Sequence, residues 1–281
     1  MERVAYFNGQ YLPESKVCVS FRDRGFNLGD AVFDAERTFA GKIFRLEAHI
    51  DRLYQSLEKA RIDPGLSAAE MTEITRETVQ RNLALLGPAE DYWVMQRVTR
   101  GLNVIGGELW QSTGATVIVE CTPLPLRARA PLLRDGLDIF TPALRRTPPE
   151  SLDPNIKSHN YLNLVLADLE VRDRSSHAWA VLLDTRGYLC EGIGSNIFLV
   201  KDNVVFTPML GMCWPASVGR WLLNSLWPKV SKCGRPISQH WTPPSQTKRL
   251  SPLPVFVFVR FARTMARLWE PHRSPGRSLS D

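Results

Sequence analysis

The chain has 281 residues, 44% hydrophobic and 23% charged, a composition typical of a soluble globular protein with one large or two smaller domains. Its N-terminus, MERVAYFNGQ, lacks an apolar signal-peptide region, and no apolar run reaches the ~18 residues of a membrane span, so we expect no membrane protein. The net charge of +6 comes from one region, because residues 1–208 contain 24 Lys and Arg against 27 Asp and Glu, whereas residues 209–281 contain 11 against 2.

The cysteines exclude two further classes of protein. All five lie far apart, with no CxxC pair and no Cys/His cluster: Cys18, Cys121, Cys190, Cys213 and Cys233. This spacing predicts buried thiols in a reducing cytoplasm, and neither a disulfide framework nor a metal site.

The first part of the chain begins with strand and turn patterns. Asn8-Gly9 lies between two apolar runs, which is a strong hairpin signal. The segment KVCVSF, residues 16–21, alternates as a strand does. GDAVFDAERTF, the turn Gly41-Lys42 and the run IFRL predict a second hairpin.

Helices and further strands follow. Ile50, Leu53, Tyr54 and Leu57 recur at helical spacing and predict a helix over 47–61, and a similar pattern covers 67–87. DYWVMQRVTRG and ATVIVECTP are typical of strands, and the Pro-rich run that ends at residue 131 predicts a linker. We therefore expect a small N-terminal α/β domain at 1–121 and an interdomain linker at 122–131.

The next segment, 132–208, predicts the start of a larger, β-rich domain. Leu162, Val165, Leu166 and Leu169 form an apolar stripe that predicts a helix beginning near Ser158. The runs HAWAVLLD, YLCEG, NIFLV and VVFTP, with turns between them, predict a β-meander. Because strands and helices do not alternate strictly, the expected fold class is α+β.

Three charged residues are candidates for chemistry. Lys157 lies just before a helix and is either a solvated loop lysine or an amine that burial has made reactive, with Tyr161 nearby. Glu191 lies in an apolar strand and is either a water-facing edge residue or a buried carboxylate. Arg52 is either a surface residue of the first long helix or a ligand for a phosphate.

Together these residues and their surroundings resemble the class IV (fold-type IV) aminotransferases that use pyridoxal 5'-phosphate (PLP). The resemblance covers roughly residues 3–208 and lies in three ordered runs, VSFRDRGFNLGDAVFDAERTFAGKIFRLEAHIDRL, NIKSHNYLNLVLA and EGIGSNIFLV. It implies a two-domain PLP enzyme with a small α/β domain and a larger β-rich domain, assembled as a homodimer.

The resemblance also implies roles for single residues. Lys157 matches the lysine that forms a Schiff base with PLP, Glu191 the partner of the pyridine nitrogen, Arg52 a phosphate ligand, and Tyr161 the tyrosine near the ring oxygen. Ser195 and Asn196 belong to the same cofactor-binding set, and Phe33 and Arg97 are substrate-side candidates. Arg97 could instead be surface charge, as could Arg100 in the same strand.

The implied reaction is transamination between an amino acid, branched-chain L- or D-, and a 2-oxo acid. A protonated pyridine acts as an electron sink when the substrate loses its α-proton, and Lys157 would carry that proton. An aminodeoxychorismate lyase of the same family and a catalytically inactive relative remain alternatives. A nucleic-acid-binding protein that uses the basic tail is the alternative from another class, disfavoured because the cations follow no helical stripe.

The resemblance ends near Pro208. The family holds the cofactor phosphate through a helix start reading G-[IV]-[ST]-R and a later turn after A-D-E-x-F, and residues 209–281 contain neither. With suitable synonymous codons, the same stretch read one base earlier yields A-W-H-V-L-A-G-I-S-R and then A-D-E-A-F-L-T. We therefore hypothesise a frameshift near residues 207–209. The tail as written is expected to be poorly ordered, apart from a possible strand at 255–261, and to weaken cofactor binding.

Overall fold

The computed structural model describes residues 2–197, 199–201, 204–206 and 208. The expectations for residues 209–281, namely the shifted frame, the poor order and the strand at 255–261, lie outside the described residues, as do Cys213 and Cys233.

Six strands form one antiparallel sheet in the N-terminal part. They are β1 (Val4–Phe7), β2 (Gln10–Pro13), β3 (Ala31–Phe39), β4 (Lys42–Ile43), β5 (Tyr92–Thr99) and β6 (Thr116–Pro123). Their spatial order is β2-β1-β6-β5-β3-β4. The turn Asn8-Gly9 has positive φ at both residues and joins β1 to β2, as predicted. The second hairpin turns at Ala40-Gly41, one residue earlier than predicted.

The strand predicted at 16–21 is wrong. Glu14–Lys16 is a single 3-10 turn, and residues 17–20 have no regular secondary structure. The apolar residues of the alternating pattern do not pack into a core, since Val19 and Phe21 remain exposed. Cys18 is exposed as well, which corrects the expectation of a buried thiol, whereas Cys121 and Cys190 are buried.

Two helices cover one face of the sheet, α2 (Leu46–Ala60) and α3 (Ala68–Asn82), after a short α1 (Arg24–Leu28). Ser67 and Glu70 form a reciprocal capping box that starts α3. The main core packs these helices against the sheet, and its largest fully buried side chains include Ile50, Leu53 and Met71. The helices predicted at 47–61 and 67–87 are confirmed, although the second ends at Asn82 and a 3-10 turn follows.

Strand β3 carries polar side chains on its buried face. Its alternate residues Val32, Asp34, Glu36 and Thr38 are buried, and the residues between them are partly exposed. Asp34 lies opposite Gln96 of β5. A strand with one buried face normally places apolar residues on the face that packs against the helices. Three buried polar residues on that face of β3 are therefore unusual.

The second part begins with a helix inside the predicted linker, α4 (Leu126–Asp135). A parallel pair, β7 (Ile139–Phe140) and β8 (Trp179–Ala180), flanks α5 (Leu162–Arg174). Two short antiparallel pairs follow: β9 (Glu191–Gly192) with β10 (Ser195–Asn196), and β11 (Leu199–Lys201) with β12 (Val204–Phe206). Because the sheet and the helices form a mixed, non-alternating fold, the α+β class is confirmed.

The apolar stripe predicted for α5 does not pack against the described residues. Leu162, Val165, Leu166 and Leu169 are exposed, and the helix instead buries Leu164, Ala167 and Val171 against Ala180 and Leu182. The helix is apolar on both sides, so periodicity alone could not identify the packed face.

Among the described helices, none has both the length and the apolar character needed to cross a bilayer.

Candidate active site

Lys157 lies where the segment before α5 meets the N-terminal sheet. Its carbonyl accepts a hydrogen bond from the Phe33 N–H at 2.9 Å, and its own N–H donates to the Ser56 hydroxyl at 3.2 Å. Ser158 forms an antiparallel bridge with Val32. This pairing keeps residues 157–160 out of the helix, which begins at Leu162 and not near Ser158 as predicted. Backbone bonds to β3 and α2 thus fix Lys157.

The Lys157 amine lies among aromatic side chains. Its Nζ is 3.4 Å from the Tyr161 hydroxyl oxygen and 4.7 Å from the centre of the Phe33 ring. Burial lowers the pKa of Lys157 to about 8, and burial together with the nearby Glu191 charge raises the pKa of Tyr161 to about 12. Near pH 8 much of the amine is therefore uncharged while the phenol keeps its proton. Lys157 is therefore a partly buried lysine and not a fully solvated one.

Glu191 is a buried carboxylate. Its side chain is 5% exposed and accepts a hydrogen bond from Arg146 Nε at 2.6 Å. The neighbouring strand places Ser195 opposite Gly192 and Asn196 opposite Glu191. These two predicted residues therefore lie on the strand that pairs with Glu191, and the interpretation of Glu191 as a water-facing edge residue is wrong.

Arg146 is a site residue that the sequence reasoning missed. It lies in the loop RRTPPE, 45 positions before Glu191, and its N–H donates to the carbonyl of Leu183 at 2.8 Å. No spacing rule singles it out from Arg145. The available signal was indirect, since a carboxylate buried in an apolar strand requires a cation close by.

Arg52 projects from α2 toward β3 and is mostly buried. Its Nε donates to Asp34 Oδ2 at 2.7 Å and its Nη2 donates to Asp34 Oδ1 at 2.6 Å, a bidentate contact. His49, one turn earlier, places Nδ1 2.8 Å from the same Asp34 Oδ1. The interpretation of Arg52 as a surface arginine is wrong.

Asp34 and Glu36 have opposite electrostatic environments although both are buried on β3. Burial acts to raise the pKa of Asp34, but the contacts with His49 and Arg52 outweigh it and hold that pKa at about 2. Burial and the neighbouring Asp34 charge raise the pKa of Glu36 to about 8. Asp34 was part of the quoted family-like run, but nothing in the sequence predicted its contact with Arg52.

The two substrate-side candidates differ in their surroundings. Phe33 contacts the Lys157 amine and meets the Tyr161 ring edge to face, with centroids 5.5 Å apart. The Arg97 guanidinium lies 5.8 Å from the Phe33 ring, but its Nε donates to Glu120 at 2.7 Å. Arg100 contacts Asp30 and two backbone carbonyls away from Lys157. Phe33 therefore borders the site, and a substrate contact for Arg97 stays a prediction.

Curated proteins with similar sequences are aminotransferases by name. A Methanocaldococcus jannaschii protein, provisionally named a branched-chain-amino-acid aminotransferase, is 37% identical over 204 residues, which is 72% of this chain and 67% of that protein. Branched-chain-amino-acid aminotransferase-like protein 1 of Arabidopsis thaliana is 32% identical over 75% of this chain but only 37% of its own length. A D-alanine aminotransferase of Bacillus licheniformis is 30% identical over 72% of this chain and 66% of that protein.

Solved structures have the same fold. The branched-chain amino acid aminotransferase of Escherichia coli superposes with a TM-score of 0.72 at 24% identity, over 80% of this chain and 74% of that one. A second branched-chain amino acid aminotransferase, solved in complex with N-(5'-phosphopyridoxyl)-L-glutamate, gives a TM-score of 0.69 at 24% identity, over 80% of this chain and 72% of that one.

The family model described as amino-transferase class IV matches residues 31–234, which include Arg52, Lys157, Tyr161 and Glu191. The chain belongs to the class IV aminotransferase family.

Proposed function

We propose that this protein transfers an amino group between an amino acid and a 2-oxo acid with PLP held through Lys157. The observation that carries the proposal is the Lys157 amine, which has a pKa of about 8 and lies beside Tyr161. The charges of the Asp34–Arg52 and Glu191–Arg146 pairs both act on it. A lysine of this kind is a nucleophile and a base at neutral pH.

The described residues fit PLP at the ring and the aldehyde. Lys157 offers the amine, Tyr161 a protonated phenol, and Glu191 a buried carboxylate for the pyridine nitrogen. Arg52 offers a guanidinium for the phosphate. The other phosphate contacts that the family resemblance implies fall after residue 208, outside the described residues.

The residues of this chain have separate tasks. When bound, PLP supplies the electron sink that stabilises the carbanion of the substrate. Lys157 takes the α-proton of the substrate and returns it, which its pKa of about 8 favours at neutral pH. Arg146 forms an ion pair with the buried Glu191 carboxylate and so compensates for its burial. Phe33 and Tyr161 restrict the volume around the amine.

The direct test is covalent trapping. The purified protein is incubated with PLP, reduced with borohydride and digested, and peptide mass spectrometry locates the label. We expect the label on Lys157 and none after Lys157→Ala. Labelling of surface lysines alone, with Lys157 unmodified, would refute the proposal.

The names of the relatives suggest two substrate classes to test. Branched-chain L-amino acids and D-alanine are the two candidates, since proteins named for each are similar to this chain. L-leucine and D-alanine, each with 2-oxoglutarate, distinguish them by the 2-oxo acid formed. Release of 4-aminobenzoate from aminodeoxychorismate would instead establish the lyase, and no turnover by a labelled protein would establish an inactive relative.

A homodimer is part of the proposal, and an exposed apolar surface supports it. Phe21, Phe26, Ile105, Leu109 and Trp110 are each between 66% and 79% exposed. The two segments that carry them are joined, because Arg24 donates to the Leu109 carbonyl and the Asn103 N–H donates to the Arg22 carbonyl. Apolar patches of this kind commonly mark protein interfaces. Light scattering on the purified protein should give twice the monomer mass, and a monomer would refute this part.

The location and the tail complete the proposal. We place the protein in the cytoplasm, where the buried Cys121 and Cys190 would stay reduced. We also retain the frameshift near residues 207–209, which DNA sequencing across these codons tests. Codons that do not encode G-I-S-R in the alternative frame would refute it. A clear cofactor absorbance band in the protein as written would refute the expected weakening of PLP binding.

A further inference from the structure

A cluster of polar side chains is buried between β3, β5 and α2. Asp34, Glu36 and Gln96 are at most 3% exposed, and His49 is 4% exposed. Gln96 donates to Glu36 Oε1 at 2.7 Å. Within the described part of the chain, Glu36 Oε2 and Gln96 Oε1 are buried without a hydrogen-bond partner. Such a cluster is costly to bury and invites a functional explanation.

A metal site is one interpretation of this cluster. Single ligand atoms of Asp34, Glu36 and His49 lie within 4.8 Å of one another, the one such group among the residues that the structure describes. However, Arg52 Nε and Nη2 already lie 2.7 and 2.6 Å from the two Asp34 oxygens. A metal ion would have to displace the Arg52 guanidinium from Asp34. The carboxylate therefore serves as the partner of Arg52 and not as a metal ligand.

The geometry instead describes a clamp on Arg52. An arginine side chain has many rotamers, and fixing it against a phosphate costs conformational entropy. Asp34 contacts two of the five N–H donors of Arg52 and thereby sets the plane of the guanidinium. His49 holds Asp34 Oδ1 from the preceding turn of α2. Glu36 accepts a hydrogen bond from Gln96, has Oε2 3.9 Å from His49 Nδ1 and is held mostly in its neutral form near pH 7.

We propose that Asp34 is the positioning residue of the phosphate-binding Arg52, and that Glu36, two residues further along the same face, takes no part in this positioning. The inference rests on the proposed function, because it takes PLP as the phosphate-bearing ligand. Asp34 also carries a negative charge that repels phosphate. The orientation of Arg52 must therefore contribute more to binding than this repulsion removes.

The experiment compares PLP with pyridoxal, which has the same aldehyde but no phosphate. Full-length protein is incubated with a concentration series of each, reduced with borohydride, and the labelled fraction of Lys157 is measured by mass spectrometry. The ratio of the two half-labelling concentrations isolates the phosphate contribution, because a change in the reactivity of Lys157 affects both aldehydes alike.

Asp34→Asn is expected to reduce the preference for PLP about tenfold, the effect of losing one or two well-oriented charged hydrogen bonds. Glu36→Gln, the matched control on the same strand, should keep the wild-type preference. Asp34→Glu, which retains the charge one methylene further out, should fall between Asp34→Asn and the wild type. If Asp34→Asn does not fold, a preference of Asp34→Glu below that of the wild type supports the proposal.

The opposing results are distinct. An equal or greater preference for PLP in a folded Asp34→Asn protein would overturn the inference, because Asp34 would then compete with the phosphate. A loss of labelling by both aldehydes to the same degree would indicate a merely structural role and would overturn it too. No labelling of the wild type by either aldehyde would refute the proposed function itself.

Discussion

The two arginine–carboxylate pairs beside Lys157 differ in construction. Asp34 and Arg52 belong to a long strand and a long helix, and their contact is bidentate. Glu191 and Arg146 belong to a two-residue strand and a loop, with Nε 2.6 Å from Oε1. The first pair has His49 and a second carboxylate next to it, and the second pair is held by irregular structure.

Their effects on Lys157 are nevertheless alike. Burial has the largest effect on the pKa of Lys157 and lowers it. In each pair the carboxylate, Asp34 or Glu191, raises this pKa, and the arginine, Arg52 or Arg146, lowers it. Each pair therefore brings charged groups close to the lysine with little net charge. The comparison indicates that an arginine paired with a carboxylate can lie near Lys157 while burial remains the largest influence on the pKa of that amine.

The largest expected effect comes from breaking the pair in the second part. Arg146→Met leaves Glu191 buried without this cation, and such a loss typically costs about 3–5 kcal/mol of unfolding free energy. Urea unfolding at pH 7, followed by circular dichroism, measures it. The double variant Arg146→Met with Glu191→Gln should recover part of the loss. A cost within about 1 kcal/mol for the single variant would show that the pair does not support the fold.

The next effect is the pH dependence of the unfolding free energy that the raised pKa of Glu36 produces. The pKa of Glu36 is raised from 4.5 to about 8, so its contribution is fully present below pH 4.5 and is lost as pH rises toward 8. Glu36→Gln removes this loss and should be about 2–4 kcal/mol more stable than the wild type at pH 8.5, with little difference at pH 4.5. Parallel urea curves at both pH values measure it. An advantage that does not grow with pH would contradict the raised pKa.

A third, smaller effect compares the pairs at Lys157 itself. Asp34→Asn and Glu191→Gln each remove a charge that raises the pKa of Lys157, so both should move its reaction with pyridoxal to lower pH. The shift should be larger for Asp34→Asn, because Asp34 has the larger influence of the two. Labelling rates across pH 6–10 give the midpoints, with Glu77→Gln on the distant surface of α3 as a control. A shift toward higher pH in either variant would contradict the assignment.

Much of this site could be predicted from the sequence, for a physical reason. Lys157, Tyr161, Glu191 and Arg52 lie in short runs whose local pattern is distinctive, and the sheet and helices around Arg52 follow clear periodicities. The structure brings all four into one region, although their catalytic roles stay proposals.

The remainder depended on contacts between distant segments. Arg146 meets Glu191 only through the fold, and no local pattern distinguishes it from Arg145. The start of α5 was misplaced because the bridge from Ser158 to Val32 overrides helical propensity. The apolar stripe of α5 did not identify the packed face of the helix, because both faces of α5 carry apolar residues. The prediction of a strand at 16–21 was wrong because an alternating pattern does not ensure that a neighbouring strand is available for pairing.

The smallest expected effect provides the lower reference for both buried pairs. Arg81 and Glu77 form an i, i+4 pair on α3, 2.8 Å apart, with each side chain 45% exposed. Water already solvates both groups, so Arg81→Ala should cost only about 0.3–0.5 kcal/mol, and less at high salt. Arg81 also lies over the Tyr11 ring at 4.3 Å, so Glu77→Gln, which removes the ion pair and leaves Arg81 in place, separates the pair from this packing. Urea unfolding at low and at high NaCl concentration measures both variants. A cost of Arg81→Ala equal to that of Arg146→Met would mean that burial does not set the strength of these pairs, which would remove the basis for distinguishing the Lys157 site from the surface.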